Sequence, residues 1–257
     1  MLFLRSSIFQ ILFYVSTFLM MVLFSPVLIL PRKMGWWVVH FWSHFNIALL
    51  RVVVGLDVEV RGRENIPEGG YIVASKHQSA WETFALIREF PDPTFILKRE
   101  LRWIPIFGWY TAKFDQIPIN RGQRSAALAA LKVSADEAIS AGRQILIFPE
   151  GTRRPVGGEP KYKFGVAHLY RDLECPVLPV ALNAGVFWPR ASWMVYPGKV
   201  IVEILPPIPP GMATDAFYRR MVDDIETASV RLCEEARKQK PLSPVLAKLP
   251  PVPATDA

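Results

Sequence analysis

The stretch Tyr71-Ile72-Val73-Ala74-Ser75-Lys76-His77-Gln78-Ser79-Ala80-Trp81-Glu82 decides how the chain is read. Its first four residues are an unbroken apolar run and read as a buried strand. A helix is expected over Glu82 to Arg88. His77 then stands at a strand-to-helix corner, where a rigid base presents side chains to solvent or ligand. Glu82 follows five positions later. On a continuous helix that spacing turns the two side chains apart, because only i+3 and i+4 neighbours share a face. The pair can meet only if His77 precedes the first helical turn and the chain bends between them. A carboxylate on one imidazole nitrogen would then hold the tautomer and leave the other nitrogen as a general base. The competing reading is an ordinary helix start, with an incidental His and a Glu favoured by the helix dipole.

A second corner follows the apolar run Ile145-Leu146-Ile147, another expected buried strand: Phe148-Pro149-Glu150-Gly151-Thr152-Arg153. Pro149 ends ladder pairing, and Gly151 permits a backbone conformation that other residues resist. Glu150 and Arg153 are left at the strand end, with Arg154 beside them. The planar guanidinium fork suits phosphate oxygens, although a surface turn carrying a salt bridge would use the same residues. A base on one corner and an anion fork on the other suggest one site.

The two motifs together resemble those of the glycerolipid acyltransferase family: His, four residues and an acid, then Phe-Pro-Glu-Gly-Thr-Arg. More narrowly the chain is similar to the bacterial lysophosphatidic acid acyltransferases (PlsC-like). The similarity runs from about His77 to Trp188. The second of these motifs matches letter for letter. The first departs from the commonest form, with Glu82 where Asp is usual and Lys76 where Asn is frequent, so the longer Glu calls for a small backbone adjustment. The stretch from Lys98 through Ile117-Pro118-Ile119-Asn120-Arg121-Gly122 resembles a further family motif, and Cys175 to Asn183 another.

What the resemblance implies is acyl transfer. His77, oriented by Glu82, is the expected base. Lys98, Arg121 and Arg153 are the expected phosphate ligands, in a substrate site that also holds Glu150, Gly151 and Thr152. The expected partners are an acyl-CoA or acyl carrier protein donor, lysophosphatidic acid as acceptor, and membrane lipid. No cofactor and no metal is called for. Backbone amides near His77 are the expected donors to a developing oxyanion. The implied place is a bacterial inner membrane, with the site on the cytoplasmic side. Other lysolipids, such as lyso-ornithine lipid, or glycerol 3-phosphate remain open as acceptors. So do a hydrolase using the same His and a silent binder of anionic lipid.

Composition fits a membrane surface. The 257 residues carry a net charge of +7, are 51 % hydrophobic and include eight Trp and sixteen Phe. A basic chain suits anionic lipids, anionic substrates or nucleic acid. Nothing in it matches a nucleic-acid-binding signature, so nucleic acid is set aside. Cys175 and Cys233 offer neither a disulfide framework nor a metal spacing.

Ser6 to Leu30 contains no charged residue and is long enough to cross a bilayer core as a helix. Met34 to Leu50 follows, with Trp36, Trp37, Phe41, Trp42 and Phe45, an aromatic density that belongs at a membrane interface. Either the first run spans and the second lies in the interface, or the two form a hairpin in one leaflet turning at Pro31. His40 and His44 share a helical spacing but have no third ligand nearby. Residues 1–53 are thus read as a membrane anchor, 54–240 as the catalytic domain, and the proline-rich 241–257 as a disordered tail.

Within the catalytic part, strands are expected at Asp57 to Arg61, Thr94 to Leu97 and Cys175 to Asn183, with two short strands in Val195 to Leu205. Amphipathic helices are expected over Arg124 to Ala141 and Asp215 to Lys238, the latter with Thr214 as N-cap. Gly165 to Leu173 is a short helix, and Lys161-Tyr162-Lys163 a basic, flexible loop. Trp103 to Trp109 is apolar enough to touch lipid, line an acyl groove or form a plain core turn. Strands alternating with helices give an α/β fold: a mixed, largely parallel sheet of about six or seven strands, covered by helices on both faces, behind an N-terminal two-helix membrane-associated segment.

Overall fold

The protein is described by a computed structural model covering residues 1–119 and 124–250; in the helix that begins at Arg124, side chains are described from residue 130 onward. Seven strands form one sheet: β1 (Leu56–Arg61), β2 (Tyr71–Ser75), β3 (Pro93–Lys98), β4 (Ile117–Ile119), β5 (Gln144–Ile147), β6 (Val177–Leu182) and β7 (Gly198–Ile204). Their order is β1-β7-β6-β2-β5-β3-β4. Every neighbouring pair is parallel except β6 with β7. The expected mixed, largely parallel sheet is therefore present.

The central strands read as unbroken apolar runs because both of their faces are covered. On β2, Tyr71 and Val73 enter one core layer, while Ile72 and Ala74 enter the other. The first layer is closed by helices α1 (Leu2–Leu23) and α2 (Arg32–Leu49), through Phe9 and Ile47, by Leu50 just after α2, and by α3 (Glu82–Ala85) through Phe84. On the edge of that layer lies α4 (Phe107–Lys113), with Phe114 and Trp36 in contact. The other layer is closed by α5 (Arg124–Ser140), α6 (Gly165–Leu173) and the long helix α8 (Thr214–Arg237), which follows the short α7 (Ala184–Phe187). The expected face of α8 is buried: Phe217, Met221, Ile225, Ala228 and Leu232.

The two apolar N-terminal helices are long and apolar enough to cross a membrane by length and composition. Here they fold back on each other and lie on the sheet layer. Near the start of α1, Arg5 donates to the Val53 carbonyl and Ser6 to that of Val195. Near its end, the Tyr110 hydroxyl donates to the Met21 carbonyl. α1 is thus tied at both ends to one body. Its outward stripe, Leu4, Ile8, Ile11, Val15, Phe18 and Val22, is exposed and apolar. After α2 the chain stays helical to Val54, and Gly55 ends it with a positive φ. At the hairpin turn, Arg32 pairs with Asp92 and Asp115, and the Trp36 indole also donates to Asp92.

Several local expectations differ from what is found. Helix α3 covers one turn and gives way to a 3-10 turn at Leu86–Glu89. Val195 to Leu205 holds one strand, not two, because residues 194–197 form no strand and β7 begins only at Gly198. Thr214 is the first residue inside α8, and the helix starts from Ala213 without a side-chain cap. Part of the expected disordered tail is ordered. Pro244–Ala247 forms α9, Leu246 is buried, and the Ser243 hydroxyl donates to the Val186 carbonyl. Residues 251–257 lie outside the described residues.

Candidate active site

The sheet order places three loops side by side. β2, β5 and β3 are adjacent and parallel, so the chain leaving each emerges at the same edge. Ligands of open α/β sheets bind at this carboxyl end. His77 leaves β2, Phe148 to Arg153 leaves β5, and Lys98 ends β3. The register pairs Ala74 with Ile147. Carrying it three residues further sets His77 opposite Glu150, and the contacts agree: the His77 amide donates to Glu150 Oε2 at 2.8 Å.

The bend between His77 and Glu82 is the one the spacing demanded. Nδ1 of His77 lies 2.9 Å from Oε1 of Glu82. The same oxygen accepts the amides of Gln78 and Ser79, each at 2.7 Å. Glu82 is the first residue of α3, so its side chain folds back over the loop that precedes it. The extra methylene relative to Asp is taken up in this wrap. A carboxylate at Nδ1 calls for the ring proton there and leaves Nε2 as the acceptor. Phe148 stacks on the imidazole, with ring centroids 4.1 Å apart and planes 18° from parallel. One edge carboxylate and one flat aromatic face therefore fix the ring.

Glu150 faces inward. Its side chain is fully buried and its Oε1 accepts from Lys76 Nζ at 2.7 Å. Lys76, itself 5 % exposed, reaches on to Glu226 of α8 at 2.5 Å. The Tyr162 hydroxyl donates to the same Glu226 oxygen at 2.7 Å. Burial pushes the Glu150 carboxyl up from its ordinary value; Lys76 and the His77 amide pull it down without cancelling that rise. Burial, reinforced by Glu226, pushes the Tyr162 phenol up as well, so it remains a donor. Residues 161–163 are consequently a docked segment: the Lys163 amide donates to the Pro149 carbonyl, and its side chain lies over Gly151. Gly151 has φ +66°, a conformation that favours glycine; a Cβ there would sit 2.7 Å from Lys163 Cε, a contact the flexible lysine end can move to relieve.

A cavity of about 420 Å³ opens from the imidazole. His77, Lys98 and Arg153 line it together; most of its remaining wall is apolar, drawn from α1, α2, β3, α4 and Phe148. The structure thus brings Lys98 and Arg153 to the His77 imidazole. Glu150 is not on the cavity, and Thr152 is exposed on the loop. Arg121 lies outside the described residues. The amides of residues 77, 78 and 79 are taken by carboxylates, so they are not the free oxyanion donors expected near this corner. The sequence reading missed Phe148 as the stacking partner, Glu226 and Tyr162. Phe148 carried a signal, as the first residue of its motif; Glu226 and Tyr162 carried none.

The geometry has counterparts in known proteins. A family model described as Acyltransferase matches residues 57–183. A 1-acyl-sn-glycerol-3-phosphate acyltransferase of Pseudomonas aeruginosa is 45 % identical over 204 residues, covering 79 % of each chain. The chain belongs to the acyltransferase family. The enzyme of the same name from Saccharomyces cerevisiae is 31 % identical to this acyltransferase over 170 residues, 62 % of this chain and 54 % of the yeast one. The crystal structure of the 1-acyl-sn-glycerophosphate (LPA) acyltransferase PlsC from Thermotoga maritima superposes with a TM-score of 0.76 at 27 % identity. It covers 93 % of this acyltransferase and all of that chain. The fold, including the two-helix segment, is therefore shared across most of the length.

Proposed function

We propose that this acyltransferase moves an acyl chain from a thioester of CoA or acyl carrier protein to the free hydroxyl of 1-acyl-glycerol 3-phosphate, giving phosphatidic acid. The observation that carries the reading is one cavity shared by an imidazole held by a carboxylate, two cations and an apolar remainder. An acceptor with a hydroxyl, a phosphate and a hydrocarbon chain fits those three features. The names of the Pseudomonas and yeast relatives agree with it.

In this mechanism Nε2 of His77 takes the proton of the acceptor hydroxyl as its oxygen attacks the thioester carbonyl. Glu82 stabilises the imidazolium that forms. The tetrahedral intermediate collapses with cleavage of the C–S bond, and His77 returns the proton to the departing thiolate. Arg153 and Lys98 hold the phosphate, joined by Arg121, and so turn binding energy into orientation. Glu150 acts from beneath: it holds the His77 backbone through one oxygen and the Lys76 cation through the other. The hairpin keeps the site on a bilayer leaflet, where the acceptor resides. α1 lies along the catalytic body with its apolar stripe outward, which favours a hairpin in one leaflet over a crossing helix. A cytoplasmic face of the inner membrane suits soluble thioester donors.

The test is acyl transfer by purified protein in detergent, comparing 1-acyl-glycerol 3-phosphate with a non-phosphorylated lysolipid. Phosphatidic acid formation by the wild type, lost in His77→Ala, is the expected result. Arg153→Ala should raise KM for the phosphorylated acceptor alone. Transfer only to the other lysolipid would remove the phosphate role of Arg153. Thioester loss without any acceptor would make the protein a hydrolase.

A further inference from the structure

Between β3 and α4 the chain carries an apolar surface that the mechanism does not use. Trp103 is 77 % exposed, Ile104 46 % and Trp109 62 %. None of the three lines the cavity, although their neighbours Leu101, Phe107 and Tyr110 do. The backbone ties them into one patch. The Gly108 amide donates to the Ile104 carbonyl at 2.7 Å, and Gly108 packs so tightly that a Cβ would lie 1.9 Å from the Arg102 carbonyl oxygen. Between them Ile106 has φ +63° and ψ −55°, with the Phe107 amide donating to the Pro105 carbonyl. That is a γ-turn of the strained, positive-φ kind, and a β-branched residue adopts it only where its surroundings hold it there. The result is two indoles and an isoleucine pointing away from the protein.

The patch continues the hairpin. Tyr110, next to Trp109, donates to the Met21 carbonyl at the end of α1. Phe114 packs on Gly35 and on the Trp36 ring of α2. Exposed apolar residues at this end of the hairpin include Leu23, Ile29, Met34 and Trp37. Lys98, Arg99 and Arg102 are exposed just upstream of the patch. Indoles flanked by cations are the composition of a segment seated among anionic headgroups, and an apolar patch of this kind on a soluble surface calls for a partner.

We propose that the segment Leu101–Trp109 is a third membrane-contacting element, in which Trp103, Ile104 and Trp109 enter the same leaflet as the hairpin and Arg99 and Arg102 meet anionic lipid headgroups. The inference rests on the reading of the hairpin as lying in one leaflet. One side of the segment walls the cavity and the other meets lipid, so the membrane comes up against the acceptor site itself. The bilayer then delivers the lipid substrate beside the cavity wall rather than through water.

The experiment uses the full chain reconstituted in vesicles of phosphatidylcholine and phosphatidylglycerol at a ratio of about 3:1 (mixed to supply anionic headgroups). Cysteine replaces Trp103 and carries an environment-sensitive fluorophore; Arg219→Cys, on the exposed side of α8, is the aqueous control. Burial pushes the thiols of Cys175 to about 11 and Cys233 to about 12, so neither native cysteine competes for label at neutral pH. The fluorophore at 103 should shift to the blue and resist aqueous iodide, while that at 219 should not. The double variant Trp103→Ser/Trp109→Ser should raise KM for a long-chain acceptor presented in vesicles roughly tenfold. It should leave turnover of a short-chain acceptor, soluble below its critical micelle concentration, unchanged.

An aqueous, quenchable fluorophore at 103 would overturn the proposal. So would equal losses on soluble and vesicle-borne acceptors, which would make the segment a cavity wall alone. So would a loss confined to carrier-protein donors, which would make the patch a protein-docking face. A failure of the acyltransfer reading is separate: wild-type protein would then lack transfer to the phosphorylated acceptor while the fluorophore still reported its depth.

Discussion

The His77 corner and the cavity wall that faces it are held by different physics. At the corner, Glu82 and Glu150 each hold the same short segment through hydrogen bonds of 2.7 to 2.9 Å, and Lys76 ties Glu150 to a distant helix. The opposite wall, made by α1, α2 and α4, is joined largely by ring contacts, with hydrogen bonds from the Trp42 indole to the Thr17 hydroxyl and from Tyr110 to the Met21 carbonyl. The proposed base would have to be placed to a fraction of an ångström, and directional, charge-assisted bonds hold it. The proposed surface for a hydrocarbon chain needs only volume and dryness, and packing suffices for that. The two regions should therefore fail differently when altered.

The largest effect is expected at the corner. His77→Ala should lower kcat about 100- to 10,000-fold with little change in thermal unfolding, since the ring is held by the corner more than it holds it. A wild-type rate in that variant would end the assignment of the base. Behind it, Lys76→Met leaves Glu150 and Glu226 facing each other without their cation. Breaking a buried pair in this way costs on the order of 3–5 kcal/mol of stability. Losing Lys76 also removes an influence that lowers the Glu150 pKa, so Glu150 takes up a proton at a higher pH. The acid limb of the kcat profile should move to higher pH. Glu226→Gln removes an influence that raises the Glu150 pKa, so its acid limb should move the other way. Equal shifts in both variants would show that the network is scaffolding without influence on the reaction.

This contrast also explains what could be read from the chain alone. The strands at 71 and 145 were legible because sheet strands covered on both faces are continuous apolar runs. The His77–Glu82 pair was legible as a condition, since its spacing admits contact only through a bend. Glu226 was not. It lies on α8 beside Ile225, 76 positions beyond Glu150, and only the packing of that helix on the sheet brings it to Lys76. The same limit hid the role of Tyr162, which sits in a stretch that reads as a solvated basic loop. The turn at Ile106 left no trace either, because nothing in Pro-Ile-Phe-Gly requires a positive φ at isoleucine. Thr214 misled in the opposite sense, as a good capping residue that the helix absorbed into its first turn.

On the cavity side, Val39 lines the apolar wall from α2. Val39→Trp should lower kcat/KM for long-chain substrates roughly tenfold, within the range that crowding an apolar pocket produces. Short-chain substrates, which leave that part of the cavity empty, should be unaffected. A parallel loss for both would mean that the wall supports the fold of the corner, and the division between the two regions would no longer hold.

The smallest effect belongs to the joint between them. Asp92 accepts from Arg32 at the hairpin turn, from the Trp36 indole and from Arg143. Burial raises the Asp92 pKa, but the two guanidinium groups and the indole outweigh it, so the carboxyl sits below its ordinary value. A depressed carboxyl contributes stability that is full above the ordinary carboxylate range and is lost as pH falls through the lowered pKa. Asp92→Asn should therefore lower the stability near neutral pH by an amount on the order of 1–3 kcal/mol for a charge-assisted cluster, seen as a lower unfolding temperature. The gap between variant and wild type should close as the solution becomes strongly acidic. Because the joint secures the hairpin and not the base, kcat on a soluble acceptor should hold while hydrogen exchange in α2 quickens. A fall in kcat with no change in exchange would place Asp92 with the corner, and would show the hairpin to be docked by its apolar face alone.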